Sequence, residues 1–169
     1  MGVVAMPARG RTLWGLPNRR EAGAIESDDS YPLRVLDSHS MAPRLLTSAS
    51  RHSPRMDSLA EALEIPEERR SRSGSTGVKV ALLCEGDAEL YAHGSGGLKL
   101  WDTCAPLAIL RACGGDATGL RGEPLMHDGS MWRHENGLLA FRNFDGTRAA
   151  DLVRERFGDW FDAKGLTRE

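Results

Sequence analysis

Two features of the sequence predict an α/β or layered α+β domain. Short runs of alternating or continuous apolar residues interleave with longer segments of helical spacing, and Gly and Pro fall at the junctions. Composition agrees with a packed globular chain: of 169 residues, 40% are apolar and 27% charged. That length suits one ordinary domain, or part of a larger one. The net charge of −2 argues against both a disordered polyanion and a basic nucleic-acid wrapper. No apolar run approaches the length of a transmembrane helix.

The elements follow in order. Residues 2–7 and 11–15 read as two short strands joined at Ala8-Arg9-Gly10, with Pro7 ending the first. Residues 17–43 are rich in Asn, Gly, Ser, Asp and Pro and read as a long connector, with one short strand at 33–36. Residues 45–48 form a strand. Ser53-Pro54 opens a helix whose stripe is Met56, Leu59, Ala60 and Leu63, and Pro66 stops it. The stretch 67–75 (EERRSRSGS) reads as a polar, solvated loop. Val78, Ala81, Leu82 and Cys84 mark a helix closed by Gly86, and 89–93 alternates like a strand. Trp101–Cys113 is a helix with Asp102 placed to cap it and Pro106 in its first turn. Strands at 116–120 and 137–141 flank a turn at Gly122. Thr147, as N-cap, opens a final amphipathic helix to Phe157 with Ala150, Val153 and Phe157 inward. No internal repeat is visible.

Three cysteines, Cys84, Cys104 and Cys113, form no C-x-x-C pair, and the His residues are scattered. They read as buried thiols in a reducing compartment, which makes the cytoplasm the expected location. The N-terminus carries no secretory pattern, and neither a membrane nor a nucleic-acid polymer is an expected partner.

Residues 101–115, WDTCAPLAILRACGG, carry the chemistry. They place Asp102 at a helix N-terminus, where negative charge is favoured and free backbone N–H groups receive anions. A carboxylate beside such an end suits Mg²⁺ shared between protein and phosphate. On spacing alone, a plain capping role is the commoner meaning of such an Asp.

KLWDTCAPLAILRACGG (99–115), GEPL (122–125) and NGLLAFRNFD (136–145), with CEGDAELYAH (84–93), SASRHS (48–53) and GRTLWG (10–15) upstream, resemble the inositol monophosphatase superfamily. The match is closer to its bisphosphate nucleotidase branch. The resemblance implies a layered α/β sandwich of the inositol monophosphatase and sugar phosphatase type, truncated at the N-terminus. Residues 1–42 are then a remnant of the N-terminal sheet domain plus a connector, and 43–169 the C-terminal α/β domain. It implies that Asp102 is a ligand of catalytic metal and touches substrate, that His52 contacts the nucleotide, that Lys79 contacts substrate, and that Ser75 supplies a backbone contact. Ala49 stands where the family has a substrate-contacting Thr. Ser95 stands where inositol monophosphatases hold inositol with a Glu, which favours a 3′-phosphorylated adenosine nucleotide over inositol monophosphate.

The activity so implied is Mg²⁺-dependent removal of the 3′-phosphate of adenosine 3′,5′-bisphosphate to give AMP. The family's D-P-[I/L]-D-G-T motif, with its water-activating Thr, is absent, so no catalytic residue is assigned and the chain is expected to be inactive alone. Asn143-Phe144-Asp145-Gly146-Thr147 imitates that motif in the wrong place, and Asp145 reads as a loop residue. Two alternatives are an inositol (poly)phosphate phosphatase of the same fold and a non-catalytic remnant that binds a nucleotide or a partner. The sequence leaves the oligomeric state open.

Overall fold

The structure, a computed structural model, describes residues 1–33, 42–50, 52–129, 132–162 and 165–167. The chain begins with an antiparallel meander of β1 (Gly2–Met6), β2 (Arg11–Leu16), β3 (Glu21–Glu26) and β4 (Asp29–Pro32). There follow β5 (Leu45–Ser48), α1 (Pro54–Ala62), β6 (Arg70–Ser73), α2 (Thr76–Glu85), β7 (Leu90–His93), α3 (Leu100–Ala112), β8 (Asp116–Thr118), β9 (Leu138–Phe141) and α4 (Gly146–Arg156). A small ribbon of β10 (Phe161–Asp162) and β11 (Gly165–Leu166) comes last. The second sheet has the order β6-β5-β7-β9-β8, with β6, β5 and β7 mutually parallel, and with β9 antiparallel to both of its neighbours, β7 and β8.

Alternation along the strands of this second sheet builds two interiors. Leu46, Tyr91, Leu138 and Ala140 point to one side, where they meet α2, α3 and the meander residues Met6, Leu13, Ala22 and Ala24. Leu45, Leu90, Ala92 and Leu139 point to the other, where α1 and α4 cover them with Met56, Leu59, Ala149 and Val153. The layers are therefore meander, α2–α3, mixed sheet, α1–α4. The α3 helix lies directly on the meander because Gly2 and Gly15, paired across β1 and β2, have no side chains. A Cβ added at Gly15 would stand 2.6 Å from the Ile109 Cα.

Two regions read as loops prove to contain strands. Within 17–43 the chain forms β3 and β4; Leu33 lies outside both, and 34–36 of the expected strand fall outside the described residues. The disguise is physical. The turn into β3 repeats the Pro-x-Arg 3-10 turn that precedes β2, but Arg20 (φ 53°) holds the left-handed position that Gly10 (φ 64°) holds in the first. The inward residues of β3 are also only alanines, because α3 lies so close. Within 67–75, Arg70–Ser73 is the edge strand β6, parallel to β5.

Several helix ends also differ from expectation. Asp102 is the third residue of α3, not its N-cap; Lys99 takes that place, and Asp102 Oδ2 accepts from the Lys99 N–H at 2.9 Å. Pro106 accordingly lies in the second turn. Asp145, not Thr147, caps α4, accepting from the Thr147 N–H at 2.9 Å. Cys84 and Cys113 are buried, whereas Cys104 is exposed.

Candidate functional site at the helix N-termini

Because β5, β6 and β7 run parallel, their carboxyl ends share one edge of the sheet. Each is followed by a loop that enters a helix: 49–53 into α1, 74–75 into α2, 94–99 into α3. Open α/β sheets bind ligands at such an edge, where helix N-termini present unpaired N–H groups. The antiparallel strand β9 ends at the opposite edge, since Phe141 pairs with Leu90 at the start of β7. The D-G-T sequence at 145–147, which opens α4, therefore stands away from Asp102.

The α2 and α3 helices lie side by side and parallel. At one end the Cys84 and Cys113 thiols interact. At the other, the Tyr91 hydroxyl meets Thr76 Oγ1 at 3.3 Å, and burial together with the charge of Asp102 pushes the phenol up to about 12. Two positive helix ends thus converge with Ser75, Lys79 and Asp102. Ser75 is the N-cap of α2, its hydroxyl accepting from the Val78 N–H at 3.3 Å. Lys79 is 2% exposed, with Nζ 4.8 Å from the Tyr91 ring centroid, and burial lowers its ammonium to about 8. Its Nζ donates to the Gly74 carbonyl and, at 3.4 Å, to that of Ser73. The charge between apolar residues of VKVALL is therefore held inward, under the loop that opens α2.

His52 lies apart from this trio, against Arg72 and Asp57, which line a neighbouring cavity of about 290 Å³. Thr47, Ser48, Met56, His93 and Ser95 also line that cavity. Arg72 Nη2 donates to His52 Nδ1 at 2.9 Å, so the ring proton is on Nε2, which faces Asp57 Oδ2 at 3.2 Å. One carbonyl links the two halves of the site: Ser73 O accepts both the Lys79 ammonium and, at 2.9 Å, the Ala49 N–H at the start of the His52 loop. Ser95 Oγ is 2.8 Å from His93 Nε2.

Sequence reasoning had set Arg72 aside with its loop. The alternation Arg70-Ser71-Arg72-Ser73 was the signal of a strand that sends one arginine toward the site. Two of the scattered histidines also come together: His127 Nε2 and His134 Nε2 lie 2.9 and 2.7 Å from Thr103 Oγ1, beside Asp102. Burial lowers both imidazoles, and each leans on the first turn of α3 in its neutral form.

Asp102 leaves Oδ1 to offer a cation. Among the described residues no group of three His, Cys, Asp or Glu side chains is placed to hold a metal. One carboxylate does not fit the several oxygen ligands Mg²⁺ requires from protein and substrate, so the described residues hold only part of such a site.

This arrangement of sheets, helices and converging N-termini has counterparts. The sequence model of the inositol monophosphatase family matches residues 1–155. The chain belongs to the inositol monophosphatase family. Within it, 3′(2′),5′-bisphosphate nucleotidase 1 of Rattus norvegicus is 33% identical over 139 residues, 80% of this chain and 41% of that protein. Inositol monophosphatase 3 of Danio rerio is 30% identical over 151 residues, 86% of this chain and 41% of that protein. The chain spans about two fifths of the length of these curated relatives. Among solved structures, CysQ from Bacteroides thetaiotaomicron, a bacterial member of the family, superposes with a TM-score of 0.61 at 20% identity, covering 83% of this chain and 57% of that one. At that identity the likeness shows the family's layered fold. Among the described residues no helix is long and apolar enough to cross a membrane.

Proposed function

We propose that this family member supplies the nucleotide-facing part of a Mg²⁺-dependent phosphatase that removes the 3′-phosphate of adenosine 3′,5′-bisphosphate to give AMP. The observation that carries the reading is the convergence of the α2 and α3 N-termini on Ser75, Lys79 and Asp102, beside a cavity lined by Arg72 and Asp57, the two partners of His52. Helix N–H groups and a buried ammonium attract a phosphoryl group, and the cavity offers room for the rest of the nucleotide. The bisphosphate nucleotidase name of the rat relative supports this substrate class. Ser95, whose hydroxyl is engaged with His93, supports it over an inositol ring, which a carboxylate would hold better.

Mg²⁺ would be held by Asp102 together with carboxylates from outside the described residues. When bound it would lower the pKa of the attacking water and neutralise phosphoryl charge. The chain's own residues do the orienting. Lys79 fixes the loop that opens α2, Ser75 caps that helix, and His127 and His134 fix Thr103 and thereby the turn that carries Asp102.

The test is phosphate release from adenosine 3′,5′-bisphosphate and from inositol 1-phosphate by the purified 169-residue chain with Mg²⁺, alongside nucleotide binding. The expected result is nucleotide binding with little or no turnover. Release at rates typical of enzymes, lost in Asp102→Ala, would overturn the expected inactivity. Turnover or binding of inositol 1-phosphate without the nucleotide would overturn the substrate.

A further inference from the structure

The β1–β4 meander is apolar on both faces, although the described residues cover only one. Its inner residues Met6, Leu13, Ala22 and Ala24 pack into the α2–α3 core. On the outer side Val3, Trp14, Gly23 and Pro32 form one row across the four strands, and Ala5, Thr12, Ile25 and Ser30 form the next. Neither row contains a charged residue. An antiparallel sheet with one wet face alternates apolar and polar residues, whereas a run such as GVVAM in β1 suits a strand covered on both sides. Yet Val3 is 48% exposed and Ile25 41%. The centre of this face is also flat. The Trp14 indole lies across Gly23, where an added Cβ would stand 2.7 Å from the ring.

Charge gathers at the ends of the face. Asp28 and Asp29 stand where β3 turns into β4, and Arg19 and Arg20 where β2 turns into β3, so the two groups lie at opposite ends of β3. All four are exposed, and among the described residues none is in an ion pair. An acidic turn and a basic turn at opposite ends of an uncharged face make that face complementary to itself. A twofold axis between two such faces, running across the strands, sets each acidic turn against the other copy's basic turn while the apolar rows stack. Four strands at ~4.8 Å spacing and six residues at ~3.4 Å rise give a footprint of about 19 by 20 Å per copy. That is the small end of specific interfaces, so the association is reversible. We propose that the outer face of the meander is a self-association surface, on which two copies of this chain stack sheet on sheet, the turn at Asp28 and Asp29 of one against the turn at Arg19 and Arg20 of the other.

Sedimentation velocity of the 169-residue chain from about 1 to about 200 µM tests it, across the range in which weak interfaces dissociate. The wild type is expected to pass from monomer to dimer within that range. Ile25→Lys and Val3→Lys each place like charges on the two stacked faces, and either is expected to stay monomeric throughout. Thermal unfolding verifies that the variants are folded, and the Val3 variant carries the test if the Ile25 variant is not. Arg19→Asp makes both ends of the face acidic, and Asp28→Arg makes the opposite change. Each alone is expected to weaken the dimer about threefold to tenfold, and an equimolar mixture of the two to associate more tightly than either. A wild type that stays monomeric would overturn the proposal, as would dimerisation unaffected by both lysine variants. Open-ended assembly in place of a dimer would assign the contact to the free edge of β1 and overturn the stacked face. A mixture no tighter than its components would overturn the pairing of the turns.

Discussion

The two larger sheets described here, of four and five strands, have very different tasks. The meander β1–β4 is antiparallel throughout, so its strand ends alternate between edges and are spent on tight turns. Three strands of the second sheet are parallel, so their carboxyl ends align and each must be followed by a crossover. The consequence is chemical. Ser75, Lys79, Asp102, His52 and Arg72 all lie on or beside the segments that follow or end β5, β6 and β7, and none belongs to the meander. Strand direction, more than composition, decides which sheet carries the candidate site. The meander's contribution is the flat, small-residue surface on which α3 rests.

The largest effect should come from a change in the meander, and it should be purely structural. Leu13 is fully buried between the meander and the central helices. Leu13→Ala is expected to cost about 2–5 kcal/mol of stability, from lost transfer energy and the residual cavity. Chemical denaturation measures this. Nucleotide affinity of the folded fraction should stay within about twofold of wild type; a selective loss of binding would break the division of labour between the sheets.

A smaller effect, confined to binding, is expected at Lys79. Burial lowers its ammonium to about 8, so the charge is present below that pH and lost as the pH rises through it. Phosphate or nucleotide affinity should therefore fall by about tenfold across this range, the size of one charged contact, and Lys79→Met should be weaker and flat. The stability signature has a definite sign. Because the unfolded lysine titrates higher, near 10.5, the unfolded chain binds the extra proton between the two values, and stability should increase as pH rises from about 8. Titration of affinity and of the denaturation midpoint against pH checks both, and a pH-independent affinity in the wild type would remove Lys79 from the anion site.

The smallest effect sharpens the comparison from the other edge of the second sheet. There α4 presents a helix N-terminus too, but Asp145 already occupies it. Asp145→Ala should cost about 0.5–2 kcal/mol of stability and Thr147→Ala less than about 0.5 kcal/mol. Neither should alter nucleotide binding. Thermal melts and titration calorimetry of the pair would show whether a helix end acts as a ligand site only at the carboxyl edge of the parallel strands.

Much of this was legible in the sequence, and the failures have causes. The α2 helix announced itself through Val78, Ala81, Leu82 and Cys84 and through Gly86, and the structure gives Gly86 a φ of 85°. The W-D segment pointed to α3, although Asp102 proved to be the third residue, because its side chain reaches back to the Lys99 N–H. The strands β3 and β6 were hidden for opposite reasons. In β3 the buried face is alanine, too small to register as a hydrophobic stripe. In β6 the alternating residues are arginine and serine, and the strand is short and lies at the sheet edge. The pairings of Arg72 with His52 and of Thr103 with His127 and His134 span 20 to 31 residues and arise from the sheet order, which no local pattern encodes.

The contact of α3 with Gly2 and Gly15 has a mechanical meaning. It seats the helix on the meander at two points, Ala105 against Gly2 and Ile109 with Ala112 against Gly15. At ~1.5 Å of rise per residue, the stretch from Ala105 to Ala112 is about 10 Å long, and Asp102 overhangs it by only about 4–5 Å. A rod bedded at two separated points resists tilting as well as sliding, so the meander sets the direction in which the first turn of α3 aims its carboxylate.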